Sequence, residues 1–414
     1  MSAPDAIHYT QLDAWIDAHF DEEVRFLQAL VRVPTDTPPG DNAPHAGRTR
    51  ELLAAFGFEA EAHVVPEAEV HALGLQSLTN LVVRRDYGPG RIVGLSAHGD
   101  VVPPGEGWTH DPYGADIVDG RLYGRAAAVS KSDFASFAFA TRAIESLRER
   151  LAGGVELYFT YDEEFGGTLG PGWLLEQGLA RCGLLVAAGF SHQVVTAHSG
   201  CLQLEVTVHG CAGHAAEPDA AVDALQGAAA LLQVLYARNE VYKRVRSNVP
   251  GIAHPSINVG RIEGGTNTNV VPGRVTLRLD RRMIPEERPE IVEREMRVTI
   301  ESVIAKHAGM SVDIRTLLLA HPLKPLAGNA ALVEALVRHG EAVFGVAPPV
   351  CGTPLYTDAR LFGERGIPAV LYGAGPRTLL ESNAKRADEH LVLDDLRGAT
   401  KVLARTLFDL LRVG

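Results

Sequence analysis

The chain has 414 residues, 46% hydrophobic and 22% charged, the composition of a folded globular protein of about two domains rather than of a disordered chain. Its 39 Lys and Arg against 51 Asp and Glu leave a net charge of -12 with no basic tract to reverse it locally, which argues against nucleic acid as a partner. The opening MSAPDAIHYTQL has neither a basic stretch nor an apolar core, and runs such as GLLVAAGF are too short to span a bilayer, so a cytoplasmic protein with no membrane partner is expected.

The first element is a predicted helix over 12–33, because Leu12, Trp15, Ile16, Phe20, Val24, Leu27 and Leu30 recur at a helical period until Pro34 and Pro38-Pro39-Gly40 end it. Short, nearly unbroken apolar runs follow at 91–97, 155–160 and 183–189, with a helical stretch at 134–147 between them. Such runs suit strands buried on both faces, hence an α/β sheet. At 202–209 the pattern changes: Leu202, Leu204, Val206 and Val208 alternate with Gln203, Glu205, Thr207 and His209, which predicts a strand with one solvated face. A helix over 222–237, strands at 256–263 and 274–280, a helix over 287–306 and a strand at 311–317 complete the order β-α-β-β-α-β of a ferredoxin-like unit. From about 329 the α/β pattern resumes, with a helix, a strand at 367–372 and a terminal helix over 394–411. The smaller domain, 200–317, is therefore expected to be inserted into a larger one made of 1–199 and 318–414. Cys182, Cys201, Cys211 and Cys351 show no CxxC spacing and are too few for a disulfide scaffold.

Two motifs carry chemistry at the ends of predicted buried strands. In SAHGDVVP, His98 and Asp100 stand two apart where one strand stops; in TYDEEFGG, Glu163 and Glu164 stand where a second stops. Ligand sites of open α/β sheets gather at carboxyl ends of strands, and adjacent carboxylates repel unless a cation or a proton lies between them. His110 and His254, which stand alone, are read as structural or solvent-exposed.

On these motifs the chain resembles the dinuclear zinc exopeptidase and deacylase family of aminoacylase, acetylornithine deacetylase, succinyl-diaminopimelate desuccinylase and glutamate carboxypeptidase. The resemblance runs nearly end to end through AHGDVVP, WTHDPY, DGRLYGR, DEEFGG, GCAGHAAEP, GGTNTNVVP, LDRR and YTDAR. It implies a zinc-exopeptidase-like catalytic domain with an inserted lid and dimerisation domain, and hence a homodimer. It also implies roles. His98 and Glu164 match zinc ligands, Asp100 the carboxylate that orients the histidine, and Glu163 the general base. His214 matches a lid imidazole that stabilises the oxyanion, and Asn269 and Arg282 match lid groups that grip a substrate carboxylate.

Three further ligand positions of that family hold residues that cannot bind a metal. The bridging carboxylate is replaced by Val129 in GRAAAVSKS, another ligand by Phe190 in GFSH, and the final histidine by Lys385 in AKRADE. A catalytic zinc needs about three protein donors, and His98 with Glu164 supplies two. The replacements also balance, since Glu164 at -1 and Lys385 at +1 sum to zero where the family sets carboxylates against cations. The expectation is thus a metal-free pocket with no cofactor, in which Glu163 acts as acid and base on a small amide-bearing or amino-acid-like carboxylate and Lys385 supplies the fixed charge. Without a Lewis acid, proton transfer beside a carbonyl, elimination, ring opening or closing, or hydrolysis of an activated bond would be the accessible reactions. Two readings stand beside it: an amide hydrolase on a mononuclear zinc site rebuilt with His192 or Asp133, and a non-catalytic binding homologue that kept the substrate clamp.

Overall fold

A computed structural model describes residues 3–413, so the ends of the predicted segments 1–199 and 318–414, at Met1, Ser2 and Gly414, lie outside the described residues. Among the described residues two compact units emerge: those up to 196 with 325–351 and those from 357 onward form one, and residues 197–324 with 352–356 form the other.

The larger unit is built on an eight-stranded sheet in the spatial order 60–64, 79–86, 154–160, 92–98, 184–187, 369–371, 194–198, 350–353. Its centre is parallel: Ile92–His98 pairs with Gly154–Thr160 on one side and with Leu184–Ala187 on the other. Every residue of Gly154–Thr160 is buried, which explains the unbroken apolar run, because strands covered by helices on both faces have no solvated side. The helices Ala3–Val31, Lys131–Glu145 and Leu393–Leu411 pack together over this core. Phe134 of the middle helix stacks on Phe159 with ring centroids 4.1 Å apart, and both are fully buried, a burial that stabilises by about 1.5–3 kcal/mol per side chain. The helix Lys131–Glu145 follows directly on the loop carrying Val129, so that loop is anchored at one end by the core.

The smaller unit is a four-stranded antiparallel sheet in the order Ser256–Gly264, Arg274–Met283, Gly200–His209, Ser311–Ala320, with the helices Ala224–Tyr242 and Pro289–Ile304. The element order is the predicted β-α-β-β-α-β. The alternation read at 202–209 is what it builds: Leu202, Leu204, Val206 and Val208 are fully buried against Leu231, Leu235, Met296 and Ile300 of the two helices. Asp223 starts the first helix by accepting the Leu225 N–H at 2.9 Å. This unit runs somewhat beyond the predicted 200–317 and takes in residues 352–356 from later in the chain.

Candidate active site

Parallel pairing of His98 with Thr160 puts the ends of two neighbouring strands level, so the HGD and DEE motifs meet at one edge of the sheet. Asp100 is fully buried and joins them. Its Oδ1 accepts the Glu163 N–H at 3.3 Å and its Oδ2 the Glu164 N–H at 3.0 Å, while Oδ1 also lies 3.4 Å from His98 Nδ1. The Asp100 carbonyl oxygen is 3.0 Å from the same His98 nitrogen. Two acceptors facing Nδ1 fix a proton there and leave Nε2 turned toward Glu163, whose Oε2 lies 3.9 Å away. Burial opposes a charge on His98, but Glu163, Asp100 and Glu164 outweigh it and raise the imidazole to about 10. Burial pushes Glu163 up to about 7; Glu164 and Asp100 add to the rise, and His98 and Lys385 hold it back.

Opposite these acids stands Lys385. Its Nζ donates to Glu164 Oε2 at 2.6 Å, with the lysine side chain 56% exposed and the glutamate side chain 12% exposed. Partial desolvation works against the ammonium, but the Glu164 and Glu163 carboxylates override it and raise its pKa, keeping it charged. Lys385 has φ +61°, a left-handed backbone that costs a side chain with a Cβ energy, and its N–H is tied to Glu389 Oε2 at 3.2 Å.

The two apolar replacements occupy neighbouring loops of the same unit. Val129 is half-buried, and the next residue, Ser130, stitches its loop to the site by accepting the His98 N–H at 3.0 Å and donating to the His98 carbonyl at 2.7 Å. Phe190 is buried, its backbone bridged to Gly375. Both residues named for a rebuilt zinc site are bonded to other partners. His192 Nε2 is bound to Asp395 Oδ1 at 2.8 Å, where Arg377 also pairs, and its ring packs on Phe344 at 4.2 Å. Asp133 Oδ1 accepts the Ala374 N–H at 2.7 Å, and burial pushes this carboxyl to about 8, so it is a neutral acid satisfied by backbone. Among the described residues no three His, Cys, Asp or Glu side chains are grouped to hold a metal ion. At the position where the resemblance implies the final zinc ligand, the Lys385 ammonium bonds a Glu164 oxygen, and an ammonium and a dication repel.

The lid residues sit in the other unit. His214 lies on the two-residue strand Gly213–His214, which pairs with Val270–Val271; it is exposed, and its Nδ1 accepts the Ala216 N–H at 3.0 Å. Asn269 is exposed and receives the Ala215 N–H on its carbonyl at 3.0 Å. Arg282, assigned to grip a carboxylate, already pairs with one of its own strand: its Nε donates to Asp280 Oδ1 at 2.8 Å, and Tyr356 lies with its ring 5.7 Å from the guanidinium. The Asp280 carboxylate thus already neutralises the guanidinium that the resemblance assigns to a substrate carboxylate.

Sequence reasoning gave no role to Arg125, Glu389, Asp358 or Arg360, although all four lie in the motifs quoted above. Arg125 and Glu389 form an ion pair at 2.6 Å with both side chains 2% exposed. Asp358 packs on the DEEFGG loop so closely that a Cβ on Gly167 would meet its Oδ1 at 2.0 Å, and Arg360 donates to the Gly166 carbonyl at 2.5 Å. Burial, with Glu163 and Asp162 close by, raises the Asp358 carboxyl well above the usual range. The available signal was charge: an arginine and a glutamate bracket the substituted positions Val129 and Lys385.

The α/β unit thus presents an imidazole and acids at parallel strand ends, where open α/β sheets place their ligand sites, and its sequence is interrupted by a ferredoxin-like unit. Residues 94–409 match the profile of "Peptidase family M20/M25/M40". The chain is 28% identical over 397 residues to succinyl-diaminopimelate desuccinylase of Methylorubrum extorquens, covering 92% of this chain and 96% of that protein. Against the desuccinylase of Rhodospirillum centenum it is 28% identical over 398 residues, covering 93% and 96%. Its fold is similar to that of the M20 family metallo-carboxypeptidase Sso-CP2 from Sulfolobus solfataricus, with a TM-score of 0.77 at 17% identity over 94% of this chain and 98% of that one. Human carnosine dipeptidase 1 superposes with a TM-score of 0.72 at 19% identity over 97% of this chain and 99% of that one. The chain belongs to peptidase family M20/M25/M40 and is an enzyme of that hydrolase family. No helix among the described residues is long and apolar enough to cross a membrane.

Proposed function

We propose that this enzyme acts on the amide-bearing or carbonyl end of a small amino-acid-like carboxylate by acid and base catalysis without a metal. The observation that carries the reading is the Lys385 ammonium placed 2.6 Å from Glu164, at a position where the family resemblance implies a metal ligand. Glu163 is the proton carrier: as a carboxylate it takes a proton from a carbon beside a carbonyl or from water attacking an activated amide, and it returns that proton to the product or to the leaving nitrogen. The negative charge that builds on the carbonyl oxygen faces two fixed cations, the Lys385 ammonium and the His98 imidazolium, both already oriented before substrate arrives. Asp100 serves both halves by holding the His98 tautomer and the backbone under Glu163 and Glu164. The lid groups His214, Asn269 and Arg282 are assigned to substrate, Arg282 after exchange from Asp280, and a cytoplasmic homodimer joined through the smaller unit is the assembly that goes with this reading.

The family supports cleavage of an amide; the metal-independent course is what the test must address. A panel of N-acyl amino acids, dipeptides and cyclic imides or lactams is screened in buffers containing chelator. Turnover that survives chelator, is abolished by Glu163→Gln and falls at least about 100-fold in kcat for Lys385→Ala supports the reading. Turnover that disappears with chelator and returns with zinc, or a Lys385→Ala variant with native kcat, overturns it.

A further inference from the structure

Lys385 reaches Glu164 from a backbone that is itself tied down. Its backbone is left-handed, and its N–H points at Glu389 Oε2 at 3.2 Å. The same oxygen accepts Arg125 Nη1 at 2.6 Å, while Glu389 Oε1 accepts the Ala128 N–H at 3.3 Å. Arg125 in turn donates from Nη2 to the Pro104 carbonyl at 2.9 Å and lies 5.2 Å from the centre of the Trp108 ring. One buried carboxylate thus joins the loop ending in Lys385 to the loop containing Val129, and an arginine anchors it to a third segment. A carboxylate and a guanidinium almost out of contact with water cannot change partners without leaving a charge unpaired, so the junction is stiff.

We infer that Glu389 is a positioning residue, whose carboxylate fixes the Lys385 backbone so that the ammonium lands on Glu164 and stays there. The inference rests on the reading of Lys385 as the cation of the site. Neither Glu389 nor Arg125 touches substrate on this view. The carboxylate acts through Lys385, and the arginine acts by keeping the carboxylate ionised and in place.

The test uses the whole enzyme and needs no substrate. The chain has six lysines, of which Lys306 and Lys324 are exposed and Lys401 is paired with Asp17 at 2.7 Å, so these three serve as internal references. Native protein is treated briefly with an acetylating N-hydroxysuccinimide ester, and the rate at each lysine is read by peptide mass spectrometry. In the native enzyme Lys385 is expected to react roughly tenfold more slowly than Lys324, because an amine held as an ammonium against a carboxylate is a poor nucleophile, and Glu164→Gln should abolish the difference. Glu389→Asp keeps the charge opposite Arg125 but shortens its reach to the Lys385 N–H; it should speed acetylation of Lys385 about threefold or more and leave Lys401 unchanged. Glu389→Gln should do the same or more, and if it does not fold, the aspartate variant decides. A native Lys385 rate in a folded Glu389→Asp protein overturns the inference, as does a general rise that includes Lys401. Should Lys385 react like Lys324 in the native enzyme and be indifferent to Glu164→Gln, the ion pair itself fails, and with it the functional reading.

Discussion

The two units treat their functional side chains differently. In the larger unit these site residues are held by partners that are themselves buried: His98 by Asp100 and Ser130, the backbone of Glu163 and Glu164 by Asp100, and the Lys385 backbone by Glu389, which pairs with Arg125. In the smaller unit, His214 and Asn269 are exposed on a short pair of strands, and Arg282 is tied to a neighbour on its own strand. Catalytic groups need fixed geometry before substrate arrives, because reorganisation at the moment of reaction raises the barrier. Groups that grip substrate can take their final places on binding. The contrast separates what is pre-built from what is to be recruited.

Gly167→Ala attacks the pre-built part most severely. Gly167 has φ +72° and would aim a Cβ at Asp358 Oδ1, so the expected loss is about 3 kcal/mol of stability, seen as a lowered melting temperature, with disorder of the Glu163 loop. A smaller effect is expected at Asp409, which accepts from Tyr9 and His339 and, burial notwithstanding, has its carboxyl held down at about 2. A depressed folded-state pKa stabilises above the unfolded value near 4 and ceases to do so as pH falls toward 2. Asp409→Asn should therefore cost about 2 kcal/mol at pH 7 and almost nothing at pH 2, in parallel urea melts. The smallest effect belongs to the lid: Arg282→Ala breaks a pair whose partners are a third and a quarter exposed, and should cost no more than about 1 kcal/mol. A lid substitution that destabilised more than Gly167→Ala would invert the comparison.

Much of the fold was legible because its signals are local. Buried parallel strands gave unbroken apolar runs, and the lid strand gave a clean alternation. The strand Thr79–Asp86 was not read, because Arg84 and Arg85 interrupt its apolar face; in the fold they pair with Glu61, Glu156 and Glu145 on other elements. Ala60–Val64 and Val350–Thr353 are short and half exposed, so neither period marks them. That His98, Asp100, Glu163 and Glu164 stand together was legible from motifs at the ends of strands, whereas Lys385 was singled out only through the family resemblance. The bracing by Arg125, Glu389, Asp358 and Arg360 depends on segments far apart in sequence, and a single chain carries no local trace of such pairings. His192 and Asp133 show the converse: near in sequence to the substituted ligands, they are bonded to Asp395 and to the Ala374 backbone.

If the Lys385 ammonium stands in for a metal ligand, native enzyme holds no zinc at equilibrium. Enzyme purified without chelator and dialysed against micromolar zinc is assayed for metal per chain, beside a variant carrying Val129→Asp, Phe190→Glu and Lys385→His together. Far less than one zinc is expected per native chain and close to two per chain of the triple variant. One or two tightly held zinc ions in the native enzyme would contradict it.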